Sequence, residues 1–440
     1  PDFADAHNNI GSILEEKGNL ESALVSYQHA IDLKPDYAEV YYNMGIIHAA
    51  QENMLLAIIN YRKTLALLPN YAAAWNNLGN AMNMLGEDTK ASAYLLNAIK
   101  LKPDYALAYQ NLGDILPNIR FHKPYPALED AIIKLLRSRN RVLPIEISSA
   151  ILSLLKLKPQ IQDALKTISN QKNIGLEPLR KIMFELNDLP LLIELMRVST
   201  IPDIEFECLL QKLRSSILRN HSTLTKNDNI LSFCSALAMQ CFINDYVYNE
   251  CDEELEALRN LEKSTQLLLN DGEQPHPIVI ACLASYKPLK EYSFFPLLDI
   301  PNSLHEIKTR QILEPEEEVF LRDSIPTLKP IENNISSMVQ AQYEEHPYPK
   351  WVNLALNPVP KSIAEVSNLL RLQITNRNIF AVKNPQILIA GCGTGQHPIT
   401  TSTRFSDSKI LAIDLSLTSI AYAKRKTREL KLNNICFMQA

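Results

Sequence analysis

The chain has 440 residues, 46% hydrophobic and 21% charged, with a formal net charge of −5. That length accommodates two or three domains of roughly 100–200 residues, each able to bury a core. The charge gives no global basic field for nucleic acid, no apolar run approaches the ~18 residues of a membrane span, and no secretory leader is recognisable.

Pro1, Pro35, Pro69 and Pro103 open successive 34-residue blocks, and each is followed by an acidic or amide residue and an aromatic. Only 11 glycines occur, well under the average of roughly 7%. Gly11, Gly45, Gly79 and Gly113 keep the same 34-residue period. Gly18 and Gly86 each follow one of them by seven residues, and Gly391, Gly393 and Gly395 form a separate cluster. A fixed period of this length is the signature of a helix-turn-helix solenoid. An aromatic or His stands four residues before each periodic glycine (His7, Tyr41, Trp75, Tyr109) and a large apolar residue directly before it (Ile10, Met44, Leu78, Leu112). The glycine is expected to let two helices approach, with Ala23, Ala57 and Ala91 as the matching small residues. Pro1-Asp2-Phe3 lacks an initiator Met and already lies inside a repeat, so a chain cut at its front end is expected.

These positions, with Tyr27, Tyr61, Ala30 and Ala98, resemble the tetratricopeptide repeat family. The resemblance implies an α-helical tetratricopeptide solenoid over residues 1–116, a surface for a protein or peptide partner. Three units are whole. The fourth keeps its first helix, but Tyr125 replaces the small residue and Pro117, Pro124 and Pro126 interrupt its second half. Asn8, Asn9, Asn43, Asn76, Asn77 and Asn111 flank the glycines. They are candidates to hydrogen-bond a peptide backbone, or simply to pack repeat on repeat.

Residues 117–340 read as a helical connecting domain. Asp228-Asn229 precede Ile230, Leu231, Cys234, Leu237, Ala238 and Cys241, an apolar stripe behind a capping residue. Leu255, Leu258, Leu261 and Leu268 extend a similar pattern. No metalloprotease, serine hydrolase or P-loop spacing occurs. Arg137, Arg139 and Arg141 read as a solvated helix end. The seven cysteines (208, 234, 241, 251, 282, 392, 436) form no C-x-x-C pair and are odd in number. Reduced thiols, a cytoplasmic setting and no metal site are therefore expected, with Cys234 and Cys241 as buried small hydrophobes.

Residues 341–380 lead into the last domain. Gln342-Tyr343-Glu344-Glu345-His346-Pro347-Tyr348-Pro349-Lys350-Trp351 concentrates aromatics and paired prolines, and its pre-proline residues favour extended backbone. It is either a linker whose aromatics lie on the next domain or a flap over an active site.

After Asn384-Pro385, Gln386 to Ala390 is an apolar run suited to a buried parallel strand. It enters Gly391-Cys392-Gly393-Thr394-Gly395-Gln396-His397-Pro398, where glycines permit a sharp turn and close approach of a ligand. A second strand, Ile410 to Ile413, ends in Asp414, placed to reach ribose hydroxyls. A helix from Ser416 to Leu430 follows, its Lys424, Arg425, Lys426 and Arg428 read as a solvated face. Ile435 to Met438 begins a third strand. Gln396 stands where a dinucleotide fingerprint needs its third glycine, which disfavours a nicotinamide-dependent oxidoreductase.

The G-x-G-x-G form resembles the motif of class I S-adenosylmethionine-dependent methyltransferases, and residues 381–440 are similar to the first half of that Rossmann-like α/β domain. An aromatic, proline-paired stretch just ahead of such a domain also resembles bacterial proteins that join tetratricopeptide repeats to a methyltransferase. The resemblance implies S-adenosylmethionine as cofactor, held by Ala390, Gly391, Cys392, Gly393, Gly395, Gln396, Asp414 and Leu415, with Asp414 on the ribose and Leu415 near adenine. The adenine contact and the substrate motif of that family lie beyond Ala440, so no catalytic residue is assigned. A methyltransferase whose repeats recruit a protein substrate or partner is the resulting expectation. A non-catalytic repeat scaffold or adaptor with a degenerate Rossmann-like domain is the alternative. Repeat arrays of this type also precede sugar-transferring enzymes, but no sugar-nucleotide signature is present.

Overall fold

A computed structural model describes residues 3–170, 174–225, 228–328, 334–345 and 350–440. The chain forms two compact units, Pro1–Leu135 and Leu136–Ala440. No helix among the described residues is long and apolar enough to cross a membrane.

The first unit is a run of antiparallel helix pairs: α1 (Ala4–Glu16), α2 (Leu20–Leu33), α3 (Ala38–Ala50), α4 (Met54–Leu67), α5 (Ala72–Met84), α6 (Asp88–Leu101) and α7 (Ala106–Ile115). Each prefers its neighbour because the buried alanines (23, 30, 57, 91, 98) let helix axes come close. The periodic glycines chiefly face larger side chains, although Gly79 also comes within 3.3 Å of Ala91 O, measured from an added Cβ. A Cβ on Gly11 would stand 2.5 Å from the Tyr27 ring, one on Gly45 2.6 Å from Tyr61, and one on Gly79 2.8 Å from Leu95. The glycine makes room for the large side chain of the second helix, a contact that the spacing alone did not separate from a glycine–alanine pair. Tyr41 Oη and Trp75 Nε1 donate to the carbonyls of Pro35 and Pro69, at 3.2 and 2.8 Å, fastening each repeat to its own opening turn.

The turn between the paired helices also repeats. Gly18 and Gly86 have φ of +76° and +75°, and the equivalent Glu52 is forced to +61°. Asn19 and Asn53 then cap α2 and α4, accepting from Ser22 N and Leu56 N. The fourth unit departs from the pattern after α7, with a short 3₁₀ turn at Leu116–Asn118 and a helix α8 (Pro126–Arg137).

The second unit opens with a helical layer: α9 (Pro144–Leu155), α10 (Pro159–Asn170), α11 (Leu176–Asn187), α12 (Pro190–Val198), α13 (Ile204–Leu224), α14 (Leu231–Ile243), α15 (Asp252–Asn270) and α16 (Pro277–Ala284). Helix α14 is not the amphipathic stripe the sequence suggests. Phe233 through Cys241 are all buried, because α12 and α16 pack on it from two sides. Its cap also comes from elsewhere: Phe233 N donates to Asn187 Oδ1 at 3.0 Å. Cys234 and Cys241 are buried as expected, and desolvation raises both thiols to about 12. All seven cysteines are free thiols. Arg214, only 1% exposed, lies 3.4 Å from Glu254, whose carboxylate also accepts from Tyr286 Oη at 2.5 Å.

A four-residue helix α17 (His305–Lys308) continues through a wide turn, Thr309–Leu313, into α18 (Glu314–Arg322); α19 (Asn334–Glu345) and α20 (Ile363–Leu369) follow. The sheet has three parallel strands in the order β1 (Gln386–Ala390), β2 (Lys409–Asp414), β3 (Ile435–Gln439), with crossover helices α21 (Gln396–Arg404) and α22 (Leu417–Glu429). Ala390 pairs with Ile413, and Asp414 with Gln439. Ile389, Ile410, Ala412, Ile420 and Phe437 form its core together with Leu321 and Ile325, which precede the sheet by more than 60 residues. Thr327 pairs in parallel with Gln439, so the end of the helical layer also extends the sheet.

Two expectations change here. The first strand is not fully buried: Leu388 is 63% exposed, because among the described residues β1 has a strand neighbour on one side only. The charges of α22 are not a uniformly solvated face either. Arg425 is buried and joined to Glu314 (3.2 Å), Glu318 (2.7 Å) and Glu429 (3.2 Å), clamping α18 onto α22. Lys426 is 3% exposed, and desolvation pulls its ammonium down to about 8. Residues 137 and 139 remain mostly solvated while pairing with Glu194 and Glu429.

Candidate cofactor cavity

At the carboxyl edge of the sheet the strands open into a cavity of about 570 Å³, lined by Ala390 to Thr394, Gln396, His397, Ile413 to Leu415, Ser419, Tyr343 and Ala440. The loop after β1 shapes it. Gly391, Gly393 and Gly395 have φ of +68°, +49° and +89°, a region that residues with a Cβ enter at a cost. Nothing lies within 4 Å of a Cβ built on Gly391, so its glycine serves backbone conformation and an open approach. Gly395 differs. Its Cβ would meet Ala423 Cβ at 2.6 Å, so this residue sets the packing of α21 on α22.

Of the residues the sequence assigns to cofactor binding, Ala390, Gly391, Cys392, Gly393, Gln396, Asp414 and Leu415 therefore share one cavity wall, and Gly395 stands behind it. The motif suggested a common role for its three glycines, whereas the contacts divide them. Cys392 has its thiol pushed up to about 12 by desolvation and by the Asp414 carboxylate, so it is a neutral, inert wall.

Asp414 ends β2 and is tied into the loop. Its Oδ2 accepts from Gly393 N at 2.7 Å and its Oδ1 from Ser416 N at 3.0 Å. Cys392 N donates to Ile413 O at 3.0 Å, and Gly395 N closes the turn on Cys392 O at 3.0 Å. The carboxylate is thus presented at the cavity by two backbone N–H groups.

Thr394, His397, Ile413, Ser419 and Ala440 line the cavity without a cofactor assignment from the sequence, and Tyr343 belongs to the segment read as a linker or a flap. Thr394 and His397 sit inside the glycine motif, and Ser419 lies in the first turn of α22. Tyr343 arrives through tertiary structure: Ser416 Oγ donates to Tyr343 O at 3.1 Å. The neighbouring Glu344 accepts from Leu417 N (2.6 Å), Thr418 N (3.1 Å) and Thr418 Oγ1, capping α22 with its carboxylate. His346, Pro347, Tyr348 and Pro349 lie outside the described residues. Trp351, 5% exposed, sits beneath the glycine loop against Leu354, Ile399 and Tyr422. Among the described residues no group of three His, Cys, Asp or Glu side chains is placed to hold a metal ion.

The asparagines of the array bond from repeat to repeat. Asn43 Nδ2 reaches Asn8 Oδ1 at 3.5 Å, Asn77 Nδ2 reaches Tyr42 Oη at 3.2 Å, and Asn111 Nδ2 reaches Asn76 Oδ1 at 2.9 Å. Each pair is 35 residues apart, so the ladder runs along the stack.

Comparison with known proteins places a TPR repeat over residues 11–52 and a tetratricopeptide repeat over residues 72–105. The first unit therefore carries tetratricopeptide repeats. No curated protein matches the chain. Among solved structures, a mutant O-GlcNAc transferase from Thermobaculum terrenum aligns at 23% identity and a TM-score of 0.27, over 31% of this chain and 26% of its own. MamA aligns at 23% identity and a TM-score of 0.27, over 36% of this chain and 81% of its own. YrrB, described as a TPR protein with an unusual peptide-binding site, aligns at 21% identity and a TM-score of 0.27, over 44% and 91%. The family matches fall within the repeats and do not reach the cavity.

Proposed function

We propose that the second unit binds S-adenosylmethionine and transfers its methyl group, and that the repeat array recruits a protein or peptide to that site. The observation that carries this reading is the gathering of Ala390 to Gly393, Gln396, Asp414 and Leu415 around one cavity at the carboxyl edge of parallel strands, where α/β folds bind nucleotides. Its volume of about 570 Å³ lies within the range of small-molecule and cofactor sites. The residues fit such a group chemically. The open backbone at Gly391 admits a close ligand without a Cβ in the way. Asp414 would exchange the Gly393 N–H for ribose hydroxyls, and the apolar Leu415 and Ile413 would face a flat base. When bound, the cofactor supplies an electrophilic methyl on a sulfonium. The chain's part is to orient it and exclude water, since in-line displacement gains most from alignment. Calorimetric titration of the full chain with S-adenosylmethionine is expected to show one-site binding; no heat from a normally folded protein would contradict the reading.

The alternative, a repeat scaffold without catalysis, is favoured by two specific observations. Both Asp414 oxygens already accept backbone N–H groups, and the family matches cover only the repeats. In that case Asp414→Asn would change loop stability and leave partner binding by the array intact.

A further inference from the structure

We infer that Trp351 is a positioning residue for the glycine loop, holding it in a ligand-ready shape from behind. The inference rests on the cofactor reading of the cavity, but its first test does not.

The indole Nε1–H donates to Thr394 O at 3.0 Å, and both groups are buried. Thr394 is the residue between Gly393 and Gly395, so fixing its carbonyl fixes the peptide leading into the left-handed Gly395 and hence the entry to α21. Tyr422 and Lys426 hold Trp351 in turn. Trp351 N donates to Tyr422 Oη at 3.0 Å, and Tyr422 Oη also bonds Trp351 O. The two rings meet edge to face with centroids 6.1 Å apart. The Lys426 ammonium lies 4.8 Å from the centroid of the indole ring and donates to Val352 O at 2.8 Å. Its charge is balanced by Glu429 at 3.0 Å.

The logic lies in which anchors survive ligand binding. Gly393 N is fastened to Asp414, the group a ribose would claim. Gly395 N is fastened within the loop and Cys392 N to β2. The Trp351 bond comes from outside both, from a residue that does not line the cavity, and a ligand there would not compete for its indole N–H. A loop that loses Gly393–Asp414 on binding would therefore keep its shape through Thr394–Trp351.

Trp351→Phe keeps a ring in the packed site and removes only the N–H donor. In the ligand-free protein, hydrogen exchange over residues 391–399 should accelerate by about fivefold or more, the worth of one buried hydrogen bond, while exchange in β2 and the melting temperature stay near those of the parent. Unchanged exchange in the loop overturns the inference whether or not any cofactor binds. Trp351→His, which restores a ring N–H, should recover part of the protection. Titration of the parent and of Trp351→Phe with S-adenosylmethionine then reads the consequence. A parent that binds and a variant weakened by about fivefold or more supports the inference, and equal affinity of the two overturns it. A parent that binds nothing refutes the cofactor reading, and the exchange result still decides the positioning role.

Discussion

The repeat array and the loop after β1 both depend on glycine, for opposite reasons. In the array, Gly11, Gly45 and Gly79 sit inside ordinary helices and are required because a tyrosine or leucine occupies the space of their Cβ. In the loop, Gly391 has empty space around it and is required by its backbone angle. Gly395 combines both demands. The glycines that recur at a fixed period thus mark packing between helices, and those in the cluster mark a left-handed turn at the cavity. The difference can be broken experimentally.

The largest effect is expected at Gly395→Ala, where a 2.6 Å contact with Ala423 adds overpacking to left-handed strain, about 3 kcal/mol in all. Chemical denaturation would measure it. Gly395→Ala combined with Ala423→Gly should recover the steric part and leave the strain. Gly45→Ala comes next: the added methyl would collide with the Tyr61 ring, costing about 2 kcal/mol, and Tyr61→Leu should absorb some of that loss. Gly391→Ala meets no atom, so its loss should be near 1 kcal/mol, with the greater damage in cofactor affinity. Glu52 provides the reverse case. It holds the left-handed turn position that Gly18 and Gly86 hold in neighbouring repeats, so Glu52→Gly should raise stability by about 0.5–1 kcal/mol.

A pH dependence is expected at Lys426. Its ammonium is pulled down to about 8 by burial, against an ordinary value of 10.5. Between these values the unfolded chain binds more protons than the folded one, so stability rises with pH. The rise from pH 7 to 9 should be about 1.3 kcal/mol, followed by thermal melts at each pH. Lys426→Met removes the titrating ammonium and should flatten that slope.

Much of this architecture is legible in the sequence because its signals are local. A 34-residue period and a glycine cluster between two apolar runs need no tertiary information. The strands and crossover helices near residues 386–439 fall where those runs place them. What was not legible is tertiary. Arg425 looks like a surface charge until Glu314 and Glu318 arrive from α18, and Lys426 until Trp351 and Val352 pack against it. The large residue opposite each repeat glycine, the cap that Asn187 lends to α14 and the arrival of Tyr343 at the cavity all join distant segments. Gly395 shows the same limit inside the motif, since its role depends on Ala423, 28 residues away.

The most direct test of the cavity is a crystal structure of the full chain with S-adenosylhomocysteine, the demethylated form of the proposed cofactor. The account predicts the nucleoside between the glycine loop and Leu415, with ribose hydroxyls on Asp414 and the Gly393 N–H released. A ligand bound elsewhere, or an empty cavity at saturating ligand with Asp414 still joined to Gly393, would contradict it.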